Sequence, residues 1–528
     1  MISQLYKTNI ISKRMRVKML KTFFMLLLMV TTKVNTSRIL AVFPTASISH
    51  QIVFRPLTQE LAHRGHEVTV ITADPVFSPG KCPENLREID VHNISYGVYT
   101  ENTVDKSYAR SDIIIDQINH INGLLTEIIQ TQLTTKEIND FITDNKNVKF
   151  DLLLLEMCAR ASLIYSHLFD APVIQFSSFG LWIDTDKTIG APTHPLLYPN
   201  FLHQKLYDLS FWEKVYEIYK DWVMKYNSFI LESVEVRDFL PLFAPQTTNY
   251  DILRKNVHML SINSHPIWYD NQPLPLNLVS MWGIHNKTQK DLPQELKTYL
   301  DSSKRGVIYL SFGTNVKWSQ LPQEKFEIFK EVLSNLQYDV LWKWDNDKFP
   351  ILSGNIKMSK WFPQTDILRH PNVKLFISQG GLQSIEEAVH AGVPLIGIPM
   401  FIDQWYNVEK IRHHKIGIRL EMDTLDKEKL NDSIHTVLNG ARFKNNILRF
   451  RSLLSDQRHS GLDQAVWWTE YVLHHGGAKH LQAPSAHMSW VEYYDVQLIS
   501  TLIGVFVSSI VIFYCFVVKI FILNKLLK

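Results

Sequence analysis

The stretch from Phe376 to Gln404 reads FISQGGLQSIEEAVHAGVPLIGIPMFIDQ, a short apolar run, a glycine pair, a helical segment, a second apolar run and an acid–amide pair. Gly380 and Gly381 let a backbone approach closely. The helix expected from Gln383 to Ala391, ended by Gly392 and Pro394, offers unpaired N–H groups and the positive end of its dipole. A phosphate is the natural guest of such a joint. Three further stretches carry chemistry. Ser49 and His50 follow the strand candidate Arg38–Phe43, at the carboxyl end where ligands of open α/β sheets collect. Ser311-Phe312-Gly313-Thr314 follows Val307–Leu310 as a small-residue loop able to bring N–H groups to phosphate. In Trp361-Phe362-Pro363-Gln364 the indole is a platform for a flat pyrimidine, and stacking of a base on an aromatic face is worth roughly 1–3 kcal/mol.

Ser384, Glu387, Pro394, Pro399, Asp403 and Gln404 sit around the glycine pair at spacings that resemble the signature of the UDP-glycosyltransferase family, which includes the UDP-glucuronosyltransferases. Roughly ten fixed positions over about thirty residues far exceed a short motif. The resemblance implies roles. His50 is the general base, and Glu156, at the end of Phe150–Leu155, stands where relatives usually carry an orienting aspartate. Trp361 and Gln364 match the uracil platform Trp-X-Pro-Gln, and Ser311 the phosphate-contacting loop. Gln379 replaces a common histidine before the glycines; its neutral amide donates to phosphate without an imidazolium's charge. Gly381 and Ser384 hold phosphate, Glu387 accepts from ribose, and Asp403 and Gln404 grip the sugar, one accepting and the other both accepting and donating.

The same resemblance implies a GT-B fold, α/β, with two Rossmann-like domains facing across a cleft. The expected activity is an inverting transfer of glucose or glucuronic acid from a UDP-sugar to a hydroxyl of a small lipophilic acceptor. The UDP-sugar is a co-substrate, so no cofactor is expected, and His474-His475 lacks the further ligands of a metal site. No Gly-X-Gly-X-X-Gly run appears, which argues against a nicotinamide enzyme. A catalytically inactive, membrane-anchored UDP-sugar-binding protein is the alternative, and Glu156 and Gln379 are the departures that keep it in view.

Elements must position these residues. The chain has 528 residues, a net charge of +3 and three cysteines. This composition supports ample core, demands no nucleic-acid partner and provides no disulfide framework. Residues 1–36 read as a signal peptide, with Lys13, Arg14, Arg16, Lys18 and Lys21 ahead of the apolar Phe23–Val30. Residues 37–275 form an acceptor-binding domain and residues 276–475 a donor-binding domain, joined through Pro266–Pro275 as linker. Asn445–Tyr471 is expected as a helix crossing back onto the first domain. Residues 476–497 are membrane-proximal, 498–518 a transmembrane helix and 519–528 a cytosolic tail. Lys519, Lys525 and Lys528 after the span give a type I orientation, with the domains in the endoplasmic-reticulum lumen. Asn93, Asn286 and Asn431 are glycosylation acceptors in that setting. The aromatics Phe179, Trp182, Tyr198, Phe201, Tyr207, Phe211 and Trp212 suit either core or an apolar acceptor pocket. Homo-oligomerisation stays open.

Overall fold

The computed structural model describes residues 36–78, 80–102, 114–183, 185–286 and 289–527, so the expected signal peptide, apart from residue 36, and Lys528 of the tail lie outside the described residues. Two parallel sheets organise the rest. The first contains β1 (Arg38–Phe43), β2 (Glu67–Thr72), β3 (Leu86–Asp90), β4 (Leu152–Glu156), β5 (Val173–Ser177), β6 (Val257–Ile262) and β7 (Leu278–Ser280), in the order β3-β2-β1-β4-β5-β6-β7. The second contains β8 (Val307–Ser311), β9 (Asp339–Lys343), β10 (Ile356–Ser359), β11 (Val373–Ser378), β12 (Leu395–Gly397) and β13 (Gly417–Arg419), in the order β10-β9-β8-β11-β12-β13. Strands such as LLLLE and VHMLSI are buried along their whole length, as parallel strands covered on both faces must be.

Seven helices matter below: α1 (Ile48–His63), α2 (Ile114–Thr134), α3 (Phe211–Asp238), α4 (Leu382–Ala391), α5 (Gln404–His413), α6 (Gly461–His474) and α7 (Val496–Leu526). In each sheet the strand order reverses once, between β1 and β4 and between β8 and β11. Crevices open at such reversals, outside the carboxyl ends of the strands. His50 and Glu156 come from the first reversal, the Ser311–Gly313 loop and Gln379 from the second.

The junction between the halves differs from the expected free linker. β7 pairs in parallel with β6, so the first sheet runs past residue 275. Within Pro266–Pro275, Trp268 is buried against Trp282, His414 and Phe450, and its indole N–H donates to Asn407 Oδ1 at 3.4 Å. The stretch is a wedge. The helix expected over Asn445–Tyr471 is two helices, Ala441–Ser455 and α6, because Ser460 opens a capping box with Asp463. Gly461 is needed there, since a Cβ would lie 2.5 Å from the carbonyl oxygens of Met281 and Trp282. Through that approach α6 lies on α1 and β7, carrying the chain back to the first domain. Residues beyond 476 stay on it: Gln482 Nε2 donates to the Val257 carbonyl at 3.2 Å and Ser485 Oγ to that of Gly190 at 3.0 Å. Finally, α7 is apolar and exposed, long enough at about 46 Å to cross a bilayer.

Candidate active site

A cavity of about 330 Å³ lies between the carboxyl ends of the two sheets. From the first domain it is lined by the Thr45–His50 loop, Phe179 and Trp182, with Ile121, Leu124, Leu125 and Ile128 of α2 as an aliphatic wall. His50 stands at its centre. The imidazole Nδ1 lies 2.7 Å from Oε1 of Glu156, whose side chain is 1% exposed. Glutamate is a methylene longer than the expected aspartate and still reaches the ring. Its other oxygen accepts the Thr45 N–H at 3.2 Å, and the Cys158 thiol approaches Oε1 at 3.5 Å. With Nδ1 held by the carboxylate, Nε2 is the nitrogen left for an acceptor proton. Phe179 meets the imidazole edge-on at 5.3 Å.

The second domain supplies the opposite wall. α4 begins at Gly381 with no side-chain cap, so its first-turn N–H groups remain available beside the cavity. Gly380 has φ +88°, and a Cβ there would lie 2.4 Å from Val408 Cγ2, a position only glycine fills. The Gln379 amide nitrogen sits between two glycine loops, 2.2 Å from where a Gly313 Cβ would be and 3.2 Å from one at Gly381. Gln364 Nε2 donates to Ser384 Oγ at 3.0 Å and to Glu387 Oε2 at 2.6 Å, while Thr365 Oγ1 donates to Glu387 Oε1 at 2.6 Å. Ser384 therefore accepts on its oxygen and keeps its own proton for an anion. Trp361 is 61% exposed, its ring 4.6 Å from Lys343 Nζ.

Against known proteins, the family model described as UDP-glucoronosyl and UDP-glucosyl transferase matches residues 38–528. The chain belongs to this family. It is a glycosyltransferase, similar to the ecdysteroid UDP-glucosyltransferase of Spodoptera littoralis nuclear polyhedrosis virus, 33% identical over 88% of this chain and 93% of the relative. It is also similar to UDP-glycosyltransferase UGT5 of Dactylopius coccus, 32% identical over 90% of each chain. Among solved structures, the calicheamicin glycosyltransferase CalG4 superposes with a TM-score of 0.56 over 83% of this chain and 99% of its own, at 15% identity. That likeness concerns the fold, two Rossmann-like domains in the GT-B arrangement.

In this glycosyltransferase most of the expected residues converge. His50, Trp361, Gln364, Gln379, Gly381, Ser384, Glu387, Asp403 and Gln404 all line the one cavity, with Glu156 behind His50. Ser311 does not line it. The residue is 1% exposed and its hydroxyl accepts the Gly313 N–H at 3.3 Å, so it shapes the loop while Gly313, Thr314 and Asn315 face the cavity. Gln404 also differs: its Oε1 accepts the N–H groups of Met400 and Phe401, both at 2.9 Å, which leaves only the amide N–H₂ for a ligand. Beside it burial pushes the Asp403 carboxyl up to about 6, against the Asn407 amide at 2.6 Å and the nearby His50.

Lys343 is the functional candidate that sequence reasoning missed. Its ammonium donates to the Gly313 carbonyl at 2.8 Å and faces the Trp361 ring, and burial lowers it to about 8 with Asp345 opposing. The available signal was its place at the carboxyl end of β9. The aromatic stretch divides: Phe179 and Trp182 line the cavity, Phe201 backs them at 4.8 Å and 5.6 Å, and Phe211 and Trp212 face outward. Ligand-capable atoms of His50, Glu156 and Cys158 lie within 4.8 Å of one another. Burial and then Glu156 hold the Cys158 thiol well above its usual range, so it stays protonated and is a poor metal ligand. All three cysteines are free.

Proposed function

We propose that this UDP-glycosyltransferase transfers glucose or glucuronic acid to a hydroxyl of a small lipophilic acceptor, with His50 as general base. The observation that carries it is the 2.7 Å pairing of His50 with the buried Glu156 inside the cavity that also holds the glycine-flanked start of α4. His50 Nε2 takes the acceptor's proton, and Glu156 stabilises the imidazolium that forms. The resulting oxygen attacks the anomeric carbon as the bond to the UDP oxygen breaks, inverting that carbon. The leaving diphosphate's charge is met by the α4 N–H groups, Ser384 and the Gln379 amide, so the proposal needs no metal. The uracil lies on Trp361, the ribose against Glu387, and Asp403 and Gln404 hold the sugar.

The acceptor lies between Phe179, Trp182 and the aliphatic side chains of α2, an apolar wall with His50 as its polar group. In this reading α7 is the anchor, which its length and apolar composition support, and the lysines after the apolar run favour a cytosolic tail with the domains in the endoplasmic-reticulum lumen. A His50→Ala enzyme is expected to bind UDP with unchanged Kd while kcat falls by about 10²–10⁴-fold. Normal turnover by that variant overturns the base assignment. If the unmodified chain binds UDP-sugar but releases no UDP with any lipophilic alcohol or phenol, the non-catalytic binding reading replaces this one.

A further inference from the structure

The α3 helix is inside out for a helix in water. From Val215 to Ile230 every exposed residue is apolar or aromatic, including Tyr216, Tyr219, Trp222, Tyr226, Phe229 and Ile230, with Trp222 76% exposed. The buried side carries Glu217, Lys220, Asp221, Ser228 and Glu235 with Met224. At about 100° per residue the two sets fall on opposite faces. The orientation is fixed by its polar partners: His203 Nδ1 lies 2.6 Å from Glu217 Oε2, Arg160 Nε donates to Glu235 Oε2 at 2.8 Å, and Thr126 Oγ1 to Glu235 Oε1 at 2.7 Å. Turning the aromatic stripe inward would break these bonds. A stripe about 24 Å long stays outside, far larger than isolated exposed apolar residues require.

We propose that this stripe is a second membrane contact: α3 lies flat in the interface of the bilayer that α7 crosses, its tyrosines and tryptophans at headgroup depth. The inference rests on the reading of α7 as an anchor. Continuity supports the bilayer over other occupants. The chain just before α7 is held to the first domain by His487 N–H donating to the Lys187 carbonyl at 2.9 Å, and His487 is within electrostatic reach of Asp251 and Arg254. Arg254 in turn pairs with Glu232 of α3, so the anchor leaves the globular part on the side where α3 lies. Exposed Ile252 and Leu242 extend the apolar surface there, and Trp490, Tyr493 and Tyr494 are exposed directly before α7. Amphipathic aromatic rings are the side chains suited to headgroup depth. On its inner side α3 contacts α2, whose Ile121 and Leu124 line the cavity, which puts the acceptor chamber one helix away from lipid.

The test uses the full chain in phosphatidylcholine nanodiscs, with nitroxide-bearing lipids as quencher and an NBD fluorophore on one cysteine. In a Cys82→Ser background the native Cys515 reports the anchor. Trp222→Cys reports the stripe, and Ile351→Cys, at a 95% exposed position of the second domain, is the control, each combined with Cys515→Ser. The expected result is loss of most emission at positions 515 and 222 and none at 351. Quenching at 515 with full emission at 222 overturns this inference and leaves the anchor intact. Full emission at both removes the anchor reading and this inference with it. A blue-shifted but unquenched probe at 222, with two chains per disc, assigns the stripe to contact between copies and likewise overturns it.

Discussion

At Asp403 two requirements oppose each other, because a sugar hydroxyl needs a carboxylate to accept its proton and burial disfavours that charge. Burial puts the folded value at about 6, above the usual range near 4. Between those values the folded state holds more protons than the unfolded chain, so Asp403 costs stability as pH rises through that window. Donor binding runs the other way. The Kd for UDP-sugar is expected to weaken as pH falls from 7 to 5, and an Asp403→Asn protein to bind more weakly at pH 7 with a flatter profile. The same variant should be more stable at pH 7 by about 1 kcal/mol, since water reaching the half-buried carboxyl discounts the full shift. Calorimetric binding at several pH values decides it, and a parallel decline in both proteins removes Asp403 as the titrating group. The residues that sequence made visible are those whose place in a strand–loop–helix joint already implies a ligand, such as His50, Gln379 and Ser384. Ser311 and Gln404 were placed in the correct loops, but which of their atoms is spent on the backbone depends on folded geometry. The bonds from Gln364 to Ser384 and Glu387 join separate elements and leave no local pattern.

At the scale of elements, the β11–α4 joint depends on one backbone conformation. Gly380 has φ +88° and its missing Cβ leaves room for Val408 of α5, which would otherwise be 2.4 Å away. Gly380→Ala is expected to cost about 1–3 kcal/mol from overpacking, with the left-handed strain added. Because the displaced elements carry Gln379 and the free N–H groups of α4, UDP affinity should fall with stability. Thermal unfolding and UDP titration check this; an unchanged midpoint with intact binding contradicts it. Elements of this kind were legible because parallel strands buried on both faces are continuous apolar runs: β1 coincides with the strand candidate Arg38–Phe43, and β8 begins with Val307–Leu310. The three residues of β7 are too short to stand out from a proline-rich stretch. The break before α6 did carry a signal, Ser460-Gly461-Leu462-Asp463, a cap motif followed by apolar residues. The apolar periodicity on either side masked it.

The whole molecule holds its cleft through contacts across the domain junction, and one of them is an ion pair with a fully buried cation. Lys410 of α5, with no exposed side-chain area, places Nζ 2.5 Å from Oδ2 of Asp270 in the first-domain wedge, while Tyr207 donates to Oδ1 of the same carboxylate at 2.8 Å. Burial lowers the ammonium to about 8, with Asp270 acting in the opposite direction. Asp270→Asn removes that opposition and strands a buried cation, a change that costs about 3–5 kcal/mol when no relief exists. Relief does exist, since the lysine can shed its proton. Lys410 without its partner has a folded value lower still, so the penalty of Asp270→Asn is largest near pH 6 and shrinks as pH rises toward 9, where wild-type Lys410 is itself becoming neutral. Adding Lys410→Met to Asp270→Asn should restore most of the loss at pH 7, because the methionine leaves no charge to strand. Denaturant unfolding of the two single variants and the double at pH 6, 7.5 and 9 measures the coupling directly. Additive effects, or a penalty independent of pH, would show that the domains are held by the apolar wedge around Trp268 alone.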